Sequence, residues 1–506
     1  MLQSFYDNYR YVIIPSEEQH MVQISAPAGA LGRFRRTFIG DRAFYKTVLA
    51  LVLPIIVQNM ISNFVNLLDN IMVGQVGTVQ MSGVAIANQL LFVFNLTIFG
   101  GLSGPGIFGA QFFGAGDNEG LRHTFRFKLW TAALILAVAV TVFLSGDKPL
   151  ISLYLTGEGN AADAAAMLEY GRSYLKTMLW GLLPFALSQV YSSTLRETGE
   201  TVLPMKASIA AVFTNLCLNY VLIFGKLGFP ALGVVGAAIA TVISRFVELG
   251  IIVTYTHRHI EKFPFIAGMY RSLKVPGKLA LTIFKKGTPL LVNELLWSLG
   301  VTTLTQIFST RGLNVVAGLN ISSTIVNLFN VVFISMGVAV AVMVGQALGA
   351  GDIPRAKSYV WKLIFFSICT CFVIGGALAA VSPIIPRIYN TTGDVRRLAT
   401  YFMLTSALYM AFNAIAHCCY FAIRSGGKTF VTFLFDSAYS WVVAVPYAYV
   451  LTHFTKLDIF ILYPVCYITD AVKSLIGIFV VRTGYWAQNI VSTGAAAGPS
   501  GENADQ

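Results

Sequence analysis

The first long apolar run of the chain carries one carboxylate. Residues 45–73 contain Asp69, the amides Gln58 and Asn59, and one proline, Pro54. This run can cross a bilayer, since a spanning helix needs about 20 mostly apolar residues. A carboxylate near the centre of such a helix costs about 2.5 kcal/mol or more, so it normally faces a protein interior or a wet cavity. We therefore expect Asp69 to bind a cation or a proton in a transport pathway. The alternative is that it lies near the helix end and meets water.

The composition indicates an integral membrane protein. Of the 506 residues, 56% are hydrophobic and 11% are charged, whereas soluble domains average about 25% charged residues. The net charge is +12, but the basic residues separate apolar runs instead of forming a stripe with interleaved aromatics, which argues against nucleic acid binding. The six cysteines fall inside apolar runs without a C-x-x-C pair, so we expect free thiols, with neither a zinc site nor a disulfide framework.

Apolar segments separated by charged or Gly-, Pro- and Asn-rich residues predict twelve membrane-spanning helices. Their approximate limits are 45–73, 81–113, 126–145, 168–195, 203–225, 233–256, 280–309, 315–347, 359–382, 398–423, 430–452 and 459–482. In the loops and adjoining span ends, 24 of the 35 Lys and Arg residues fall on the side of the termini and 7 on the opposite side. This bias places both termini in the cytoplasm.

Both ends of the chain are polar. Residues 1–44 lack an apolar segment long enough for a signal peptide, so we expect a cytosolic extension there. Residues 487–506 predict a disordered tail, since they are small and polar, most clearly from Gly494 onward.

The two halves of the chain repeat each other. At an offset of 235, Pro54 falls on Pro289 and Gln111 on Gln346, and each glutamine begins a Q-x-x-G-A-G-D motif. Later the offset becomes 228, where the turn L-R-E-T-G-E-T matches I-R-S-G-G-K-T. We therefore predict that both halves descend from one unit.

The repeat predicts an all-α polytopic membrane protein made of two six-helix bundles. The N-terminal bundle is 45–256, the C-terminal bundle is 280–486, and a basic cytoplasmic linker, 257–279, joins them. Because six is an even number, both bundles insert with the same orientation. Their pseudo-two-fold axis then runs along the membrane normal, and substrate binds between the bundles.

One glycine-rich segment lies inside the second predicted span. Residues 104–109, G-P-G-I-F-G, match G-x-G-x-x-G, but no strand precedes them, so a dinucleotide site is not expected. Pro105 removes a helix hydrogen bond, which predicts a flexible or kinked helix that takes part in gating. The matching segment of the second half, 339–344, has no proline, so the bend belongs to the first half.

This arrangement resembles the multidrug and toxic compound extrusion (MATE) family of bacterial type over about residues 43–486. The resemblance rests on P-x(14)-D-N-I-M-V-G from Pro54 to Gly74, the doubled Q-x-x-G-A-G-D, L-R-E-T-G-E-T, N-x-x-x-N at Asn215 and Asn219, and G-A-A-I-A-T ending at Thr241. It implies a secondary active antiporter of the bacterial inner membrane. Organic cations or other amphiphiles would leave in exchange for H⁺ or Na⁺ while a V-shaped pair of bundles rocks between two states.

The resemblance also implies a coupling site in the N-terminal bundle. Asp69 matches the aspartate of the family's first helix, which takes part in cation or proton coupling, and Asn215 matches the asparagine of the fifth. Asn219 stands where some relatives carry a second aspartate, which leaves one carboxylate for Na⁺ or a proton. Thr241 is a further candidate oxygen donor. Apart from the coupling ion, no cofactor is implied.

The C-terminal half carries further polar candidates. Some relatives pair a seventh-helix glutamate with a tenth-helix aspartate; here Glu294 lies on the seventh span, and Asn413 is near the position of that aspartate. The repeat aligns Glu294 with Asn59. His417 can sense pH or line the cavity, although a lone histidine among apolar neighbours is more often a hydrogen-bonded core residue.

Two pairs of opposite charge lie three residues apart. Arg245 and Glu248 are on the sixth span, and Asp470 and Lys473 repeat the spacing on the twelfth. Residues at this spacing share a helix face, so we expect each pair to neutralise itself. Asp436, on the eleventh span, lies either near the cytoplasmic interface or in a run that resembles bacterial MATE members.

Other functions explain the sequence less well. A lipid-linked oligosaccharide flippase of the same superfamily is the alternative, but we find no cluster of intramembrane arginines for a pyrophosphate. An enzyme is disfavoured because neither H-E-x-x-H nor G-x-S-x-G occurs, so no catalytic residue is expected. A channel fits the repeated, proline-bearing, asymmetric halves poorly. We expect a monomer whose partners are small amphiphilic or cationic molecules and the bilayer.

Overall fold

The computed structural model describes residues 30–155, 161–389 and 391–492, and all regular structure in these ranges is helical. The first half contains α1 (Ala30–Phe38), α2 (Arg42–Gly74), α3 (Thr78–Gly114), α4 (Asn118–Ser152), α5 (Ala161–Glu197), α6 (Val202–Phe224) and α7 (Gly233–Arg258). The second half contains α8 (Gly277–Ser309), α9 (Leu313–Gly349), α10 (Ile353–Val381), α11 (Gly393–Ser425), α12 (Thr429–Phe433), α13 (Val445–Phe454) and α14 (Ile459–Thr483). Short 3-10 helices form at Pro264–Ile266, Met269–Arg271 and Ile385–Ile388.

Most of these helices can cross a membrane. In the described ranges, ten helical rods are long and apolar enough, and α12 and α13 count together as one of them. The two other long helices, α5 and α8, have 37 and 33 residues and are not among these ten. Several helices extend beyond the predicted spans; the third, predicted at 126–145, is Asn118–Ser152. The chain is therefore an all-helical, multi-pass membrane protein.

The rod made of α12 and α13 is interrupted by two π-helical turns, Leu434–Ala438 and Ser440–Ala444. A π-turn departs from the regular α-helical ladder and often marks a functional position. Here the Ser437 N–H donates to Asn293 Oδ1 on α8 at 3.2 Å, and the Ser437 hydroxyl donates to the Asn293 carbonyl at 2.7 Å. The irregular turn is thus held against α8.

The helix bounds confirm the internal repeat. An offset of 235 carries both ends of α2 onto both ends of α8, and both ends of α3 onto both ends of α9. The same chemistry starts the next helix in each half, because Asp117 and Asp352 cap α4 and α10 by accepting backbone N–H bonds.

Helices of each half pack mainly on one another. In the first half α3 lies against α4 and α5, and α7 against α5 and α6; in the second, α11 lies against α9, α10 and α14. Between the halves, α3 packs on α8 and α9, and α2 packs on α9. The start of α2, with Val48 and Leu51, is buried in the second-half core, and Ile283 at the start of α8 is buried in the first-half core.

The contacts between the halves thus involve the C-terminal part of α3 and the N-terminal parts of α2 and α8. These parts meet beside the linker, and we call this end of the molecule the linker end. The predicted linker, 257–279, is itself packed on the first half. Phe263, Phe265 and Met269 are at most 2% exposed, and the Arg126 guanidinium donates to the Met269 carbonyl at 3.1 Å.

The predicted extension 1–44 contains a helix where it is described. In α1, Phe34 and Phe38 pack on Phe365 of α10, with ring centroids 5.6 and 6.0 Å apart. Residues 1–29 lie outside the described part of the chain.

The predicted disordered tail begins too early. Residues 487–492 are ordered, because the Gln111 side chain bonds to the backbone of Gln488 and Ile490. Sequence reasoning missed this, since a short polar segment gives no local signal of a distant partner. The prediction for 493–506 falls outside the described residues.

Candidate functional site

A polar cluster surrounds Asp69 in the first half. Asp69 on α2 is half-buried, while Asn215 and Asn219 on α6 are 5% and 1% exposed. Asn219 Nδ2 donates to Asp69 Oδ1 at 2.6 Å and to Asn215 Oδ1 at 3.0 Å. Thr241 on α7 lies 3.2 Å from the Asn215 amide through its hydroxyl oxygen. The structure therefore brings together all four residues of the predicted coupling site, from three helices.

The amide of Asn215 can face Asp69 with either atom, because nitrogen and oxygen are assigned from their surroundings. With nitrogen toward Asp69, it donates to Oδ1 at 3.0 Å and to Oδ2 at 3.3 Å, and its oxygen accepts from Thr241 at 3.2 Å. With oxygen toward Asp69, it accepts from Asn219 instead. In the first orientation the Asn215 nitrogen donates to both carboxylate oxygens of Asp69, so no cation is needed. In the second orientation the amide oxygen of Asn215 lies beside the carboxylate oxygens.

A hard cation such as Na⁺ takes oxygen ligands, and the cluster supplies them from carboxylate, amide and hydroxyl groups. Asn219 Oδ1 is buried and has no hydrogen-bond partner among the described residues. The donor set thus fits Na⁺: the Asp69 carboxylate, the amide oxygens of Asn215 and Asn219, and Thr241 Oγ1 would hold it. The same carboxylate can instead take one proton.

A second polar chain on the first half begins at Gln58 of α2. Gln58 Nε2 donates to Ser208 Oγ at 2.7 Å, and the Ser208 hydroxyl donates to Glu248 Oε1 at 2.6 Å. Arg245 donates to the Gly181 carbonyl at 3.1 Å. The expected Arg245–Glu248 ion pair is therefore wrong: no contact within 4.0 Å joins the two among the described residues. Asn59 is half-buried next to Gln58.

The second half holds a larger network around Glu294. Tyr420 donates its hydroxyl to Glu294 Oε1 at 2.9 Å, and Asn293 Nδ2 lies 3.3 Å from the same hydroxyl. Asn293 Nδ2 also donates to Asp436 Oδ2 at 2.9 Å, and Lys473 Nζ donates to Asp436 Oδ1 at 2.6 Å. Asp436 thus forms an ion pair with Lys473 inside the helix bundle.

This network corrects the expected Asp470–Lys473 pair, because Lys473 binds Asp436 on another helix and Asp470 lies beside Asn413. Asn293 and Tyr420 were missed from the sequence. A signal for Asn293 existed, since the offset of 235 aligns it with Gln58. Asn293 joins α8 to the rod made of α12 and α13, the eleventh span. Gln58 joins α2 to α6, the fifth span.

His417 lies among aromatic rings, with its ring centroid 5.6 Å from that of Phe333 and 4.9 Å from that of Phe421. Its Nε2 is buried with no hydrogen-bond partner among the described residues. The structure thus places it in an aromatic part of the core beside the Glu294 network.

The glycines around Pro105 make room for close contacts. α3 is a continuous helix through Pro105. A Cβ built on Gly104 would lie 2.4 Å from the Gly287 Cα of α8, so the two backbones touch there. Cβ atoms on Gly106 and Gly109 would lie 2.8 and 2.1 Å from the carboxylate of Glu197. Close packing therefore explains these glycines; the gating role of Pro105 stays a prediction.

The sequence reasoning also missed what those glycines accommodate. Lys128 on α4 is fully buried and donates to both carboxylate oxygens of Glu197 at 2.7 Å. Ser193 and Thr194 accept from the same ammonium at 3.1 and 2.9 Å. The offsets of 235 and 228 place Leu363 and Ser425 at the equivalent positions of the second half, so only the first half has this pair.

Known proteins similar to this chain include probable multidrug resistance proteins. It is 26% identical over 455 residues to the probable multidrug resistance protein NorM of Thermotoga maritima, covering 88% of this chain and 94% of that protein. It is 27% identical over 427 residues to the probable multidrug resistance protein YoeA of Bacillus subtilis, covering 82% and 88%.

Solved structures share the fold. An outward-facing multidrug resistance MATE family transporter of the MOP superfamily matches with a TM-score of 0.75 at 20% identity, over 92% of this chain and 99% of that one. The bent form of the Vibrio cholerae MATE transporter VcmN matches with a TM-score of 0.74 at 18% identity, over 87% and 97%. The MatE family model matches residues 54–221 and 289–450, one stretch in each half. Because these stretches make up more than half of the sequence, the chain belongs to the MatE family of membrane transporters.

Proposed function

We propose that this chain is a secondary active antiporter that exports organic cations or other amphiphiles in exchange for H⁺ or Na⁺. The observation that carries the proposal is the cluster of Asp69, Asn215, Asn219 and Thr241, which gathers one carboxylate and three neutral oxygen donors from α2, α6 and α7. The names of the relatives support multidrug substrates.

The proposed architecture has twelve spans in two six-helix lobes related by a pseudo-two-fold axis along the membrane normal. The matching bounds of α2 and α8, and of α3 and α9, support this arrangement. The linker end then faces the cytoplasm, with both termini, because most Lys and Arg residues of the loops fall on that side. We further propose that the chain works as a monomer in the bacterial inner membrane.

The orientation of the Asn215 amide links ion binding at Asp69 to the contact between α2 and α6. Without a cation, its nitrogen satisfies Asp69. With Na⁺ bound, the amide turns so that its oxygen, that of Asn219 and the carboxylate share the ion. With a proton instead, the cluster loses its negative charge and the Asp69 carboxyl group gains an O–H donor. Each change alters how tightly α2 is held against α6.

That change reaches both halves through α2. Asp69 lies in the C-terminal part of this helix, which packs on α6 of its own half, while Val48 and Leu51 in its N-terminal part are buried in the second-half core. A shift of α2 on ion release therefore changes the fit between the halves. Substrate and ion then compete through the two states, so that entry of one drives export of the other.

Glu294 supports a cationic substrate. Its side chain lies on α8 at the interface with α3, where a Cβ on Gly100 would be 3.4 Å from its Cγ. A carboxylate at the junction of the halves favours a positive charge in the space between them.

The test is ethidium export from vesicles that contain the purified chain, under an imposed Na⁺ gradient or pH gradient. We expect one gradient to drive transport and Asp69→Asn to reduce it at least tenfold. The matched control is Asp458→Asn, which makes the same change at the exposed N-cap of α14, where asparagine also caps well. Gradient-driven export by Asp69→Asn at the wild-type rate would refute the proposed coupling site.

A further inference from the structure

Two glutamines of the repeat exchange contacts between the halves at the linker end. Gln111 on α3 donates through Nε2 to the Ser425 carbonyl at the end of α11, at 2.8 Å. Gln346 on α9 donates through Nε2 to the Glu197 carbonyl at the end of α5, also at 2.8 Å. Both glutamines are buried, and the offsets of 235 and 228 interchange the two bonds. The halves are therefore joined by two equivalent hydrogen bonds, one from each half to the other.

The turns that follow these glutamines touch backbone to backbone. A Cβ built on Gly114 would lie 2.0 Å from the Gln346 carbonyl oxygen, and one on Gly349 would lie 1.9 Å from that of Gln111. No side chain fits at either position, so the ends of α3 and α9 are in direct backbone contact there. Together these contacts hold the two halves against each other at the linker end.

The chain beyond α14 enters the same interface. We call residues 485–492 the strap. Gln111 Nε2 also donates to the Gln488 carbonyl at 3.1 Å, and Gln111 Oε1 accepts from the Ile490 N–H at 2.9 Å. Asn489 Nδ2 donates to the Gly349 carbonyl at 3.1 Å. The strap thus binds α3 through Gln111 and α9 through Gly349.

The strap is also anchored in both hydrophobic cores. Trp486 is 1% exposed and belongs to the second-half core, whereas Val491 is 6% exposed and belongs to the first-half core. Only four residues lie between these anchors. If the halves move apart at the linker end, the strap must leave one anchor or release Gln111.

We propose that Gln111, Gln346 and the strap form the inner gate of this transporter, and that the strap must release Gln111 whenever the linker end opens. The proposal rests on the proposed function, because it gives alternating access its inner barrier. The strap has no counterpart at Gln346, whose side-chain amide bonds to the Glu197 carbonyl alone in the described part of the chain. Both glutamines therefore make the same bond across the halves, but the strap binds only Gln111.

The test measures the distance across the gate. Spin labels at Ala115 and Ala350, the exposed equivalent residues of the two turns, report opening in a full-length chain whose six cysteines are replaced. A chain that stops after Ala487 lacks the strap contacts to Gln111 but keeps Trp486; one that stops after Ser492 keeps the strap and is its control. Ile490→Pro removes the N–H that donates to Gln111 and also the isoleucine side chain that packs on the first-half core. Gln488→Ala, which keeps the backbone carbonyl, is its control.

We expect the population with the longer distance to rise about tenfold in the chain ending at Ala487, since it loses three interfacial hydrogen bonds. Ile490→Pro should give a smaller rise, and both controls should match the full chain. Unchanged distances in both strap variants would overturn the proposal. Because the distances need no substrate or gradient, they test the gate separately from ethidium export. If strap loss opens the linker end while the full-length chain exports no ethidium under either gradient, the gate stands and only the proposed function is refuted.

Discussion

The buried pair of Lys128 and Glu197 makes a quantitative prediction. Lys128→Leu copies Leu363, the equivalent residue of the second half. It removes the ammonium whose hydrogen bonds reach both carboxylate oxygens at 2.7 Å. The Glu197 carboxylate, 12% exposed, then stays between Gly106 and Gly109 without its cation.

Breaking a buried pair from one side costs about 3–5 kcal/mol, because an uncompensated charge remains. Glu197→Gln should cost a similar amount, since Lys128 would keep only the hydroxyls of Ser193 and Thr194 and a neutral amide. The double variant removes both charges and keeps the side-chain volume. We expect its free energy of unfolding to lie within about 1–2 kcal/mol of the wild type, as replacing a whole buried pair is often neutral.

The assay is equilibrium unfolding in mixed micelles by titration with a denaturing detergent, followed by tryptophan fluorescence. The four chains form a double-mutant cycle, and the coupling free energy between the two sites should exceed about 2 kcal/mol. A single Lys128→Leu variant as stable as the wild type, or a double variant that loses the sum of both single losses, would refute this account of the pair.

Two further predictions concern packing. Gly104→Ala should destabilise the chain and loosen the linker end, because its methyl group would lie 2.4 Å from the Gly287 Cα. Gly376→Ala, where nothing lies within 4 Å of the added methyl group, should be neutral or slightly stabilising. Equilibrium unfolding in mixed micelles compares the two variants. Trp486→Ala should lower the free energy of unfolding by about 3–5 kcal/mol, because this side chain is 1% exposed. Tyr485→Ala, at a residue 65% exposed, should lower it by less than about 1 kcal/mol. Equal losses in the two variants would contradict the anchoring of the strap.

Much of the architecture was available from the sequence. Long apolar runs predicted the helices, because a bilayer-spanning helix needs a minimum apolar length. Matching residues at fixed offsets predicted the repeat, and the ends of α2, α3, α8 and α9 follow it to the residue. The cluster around Asp69 followed from a resemblance to a family, and the structure brings its four residues together.

The partners of buried charges were decided by the tertiary structure alone. Spacing along one helix predicted Asp470 for Lys473, since residues three apart share a face. The rotation of α14 against its neighbours instead points Lys473 at Asp436, 2.6 Å away on another helix. Likewise, no local pattern joins Lys128 to Glu197, which are 69 residues apart.

The sequence by itself determined that this is a repeated, helical membrane protein with one carboxylate in its first span, because hydropathy and self-similarity are properties of the chain alone. Only the tertiary structure decided which polar groups meet, that Gln111 and Gln346 bond across the halves, and that residues 487–492 are ordered. The physical reason is that hydrogen bonds and ion pairs act over about 3 Å, so they depend on how helices are rotated and packed. The length of an apolar run does not indicate how the helix is rotated or which helices it packs against.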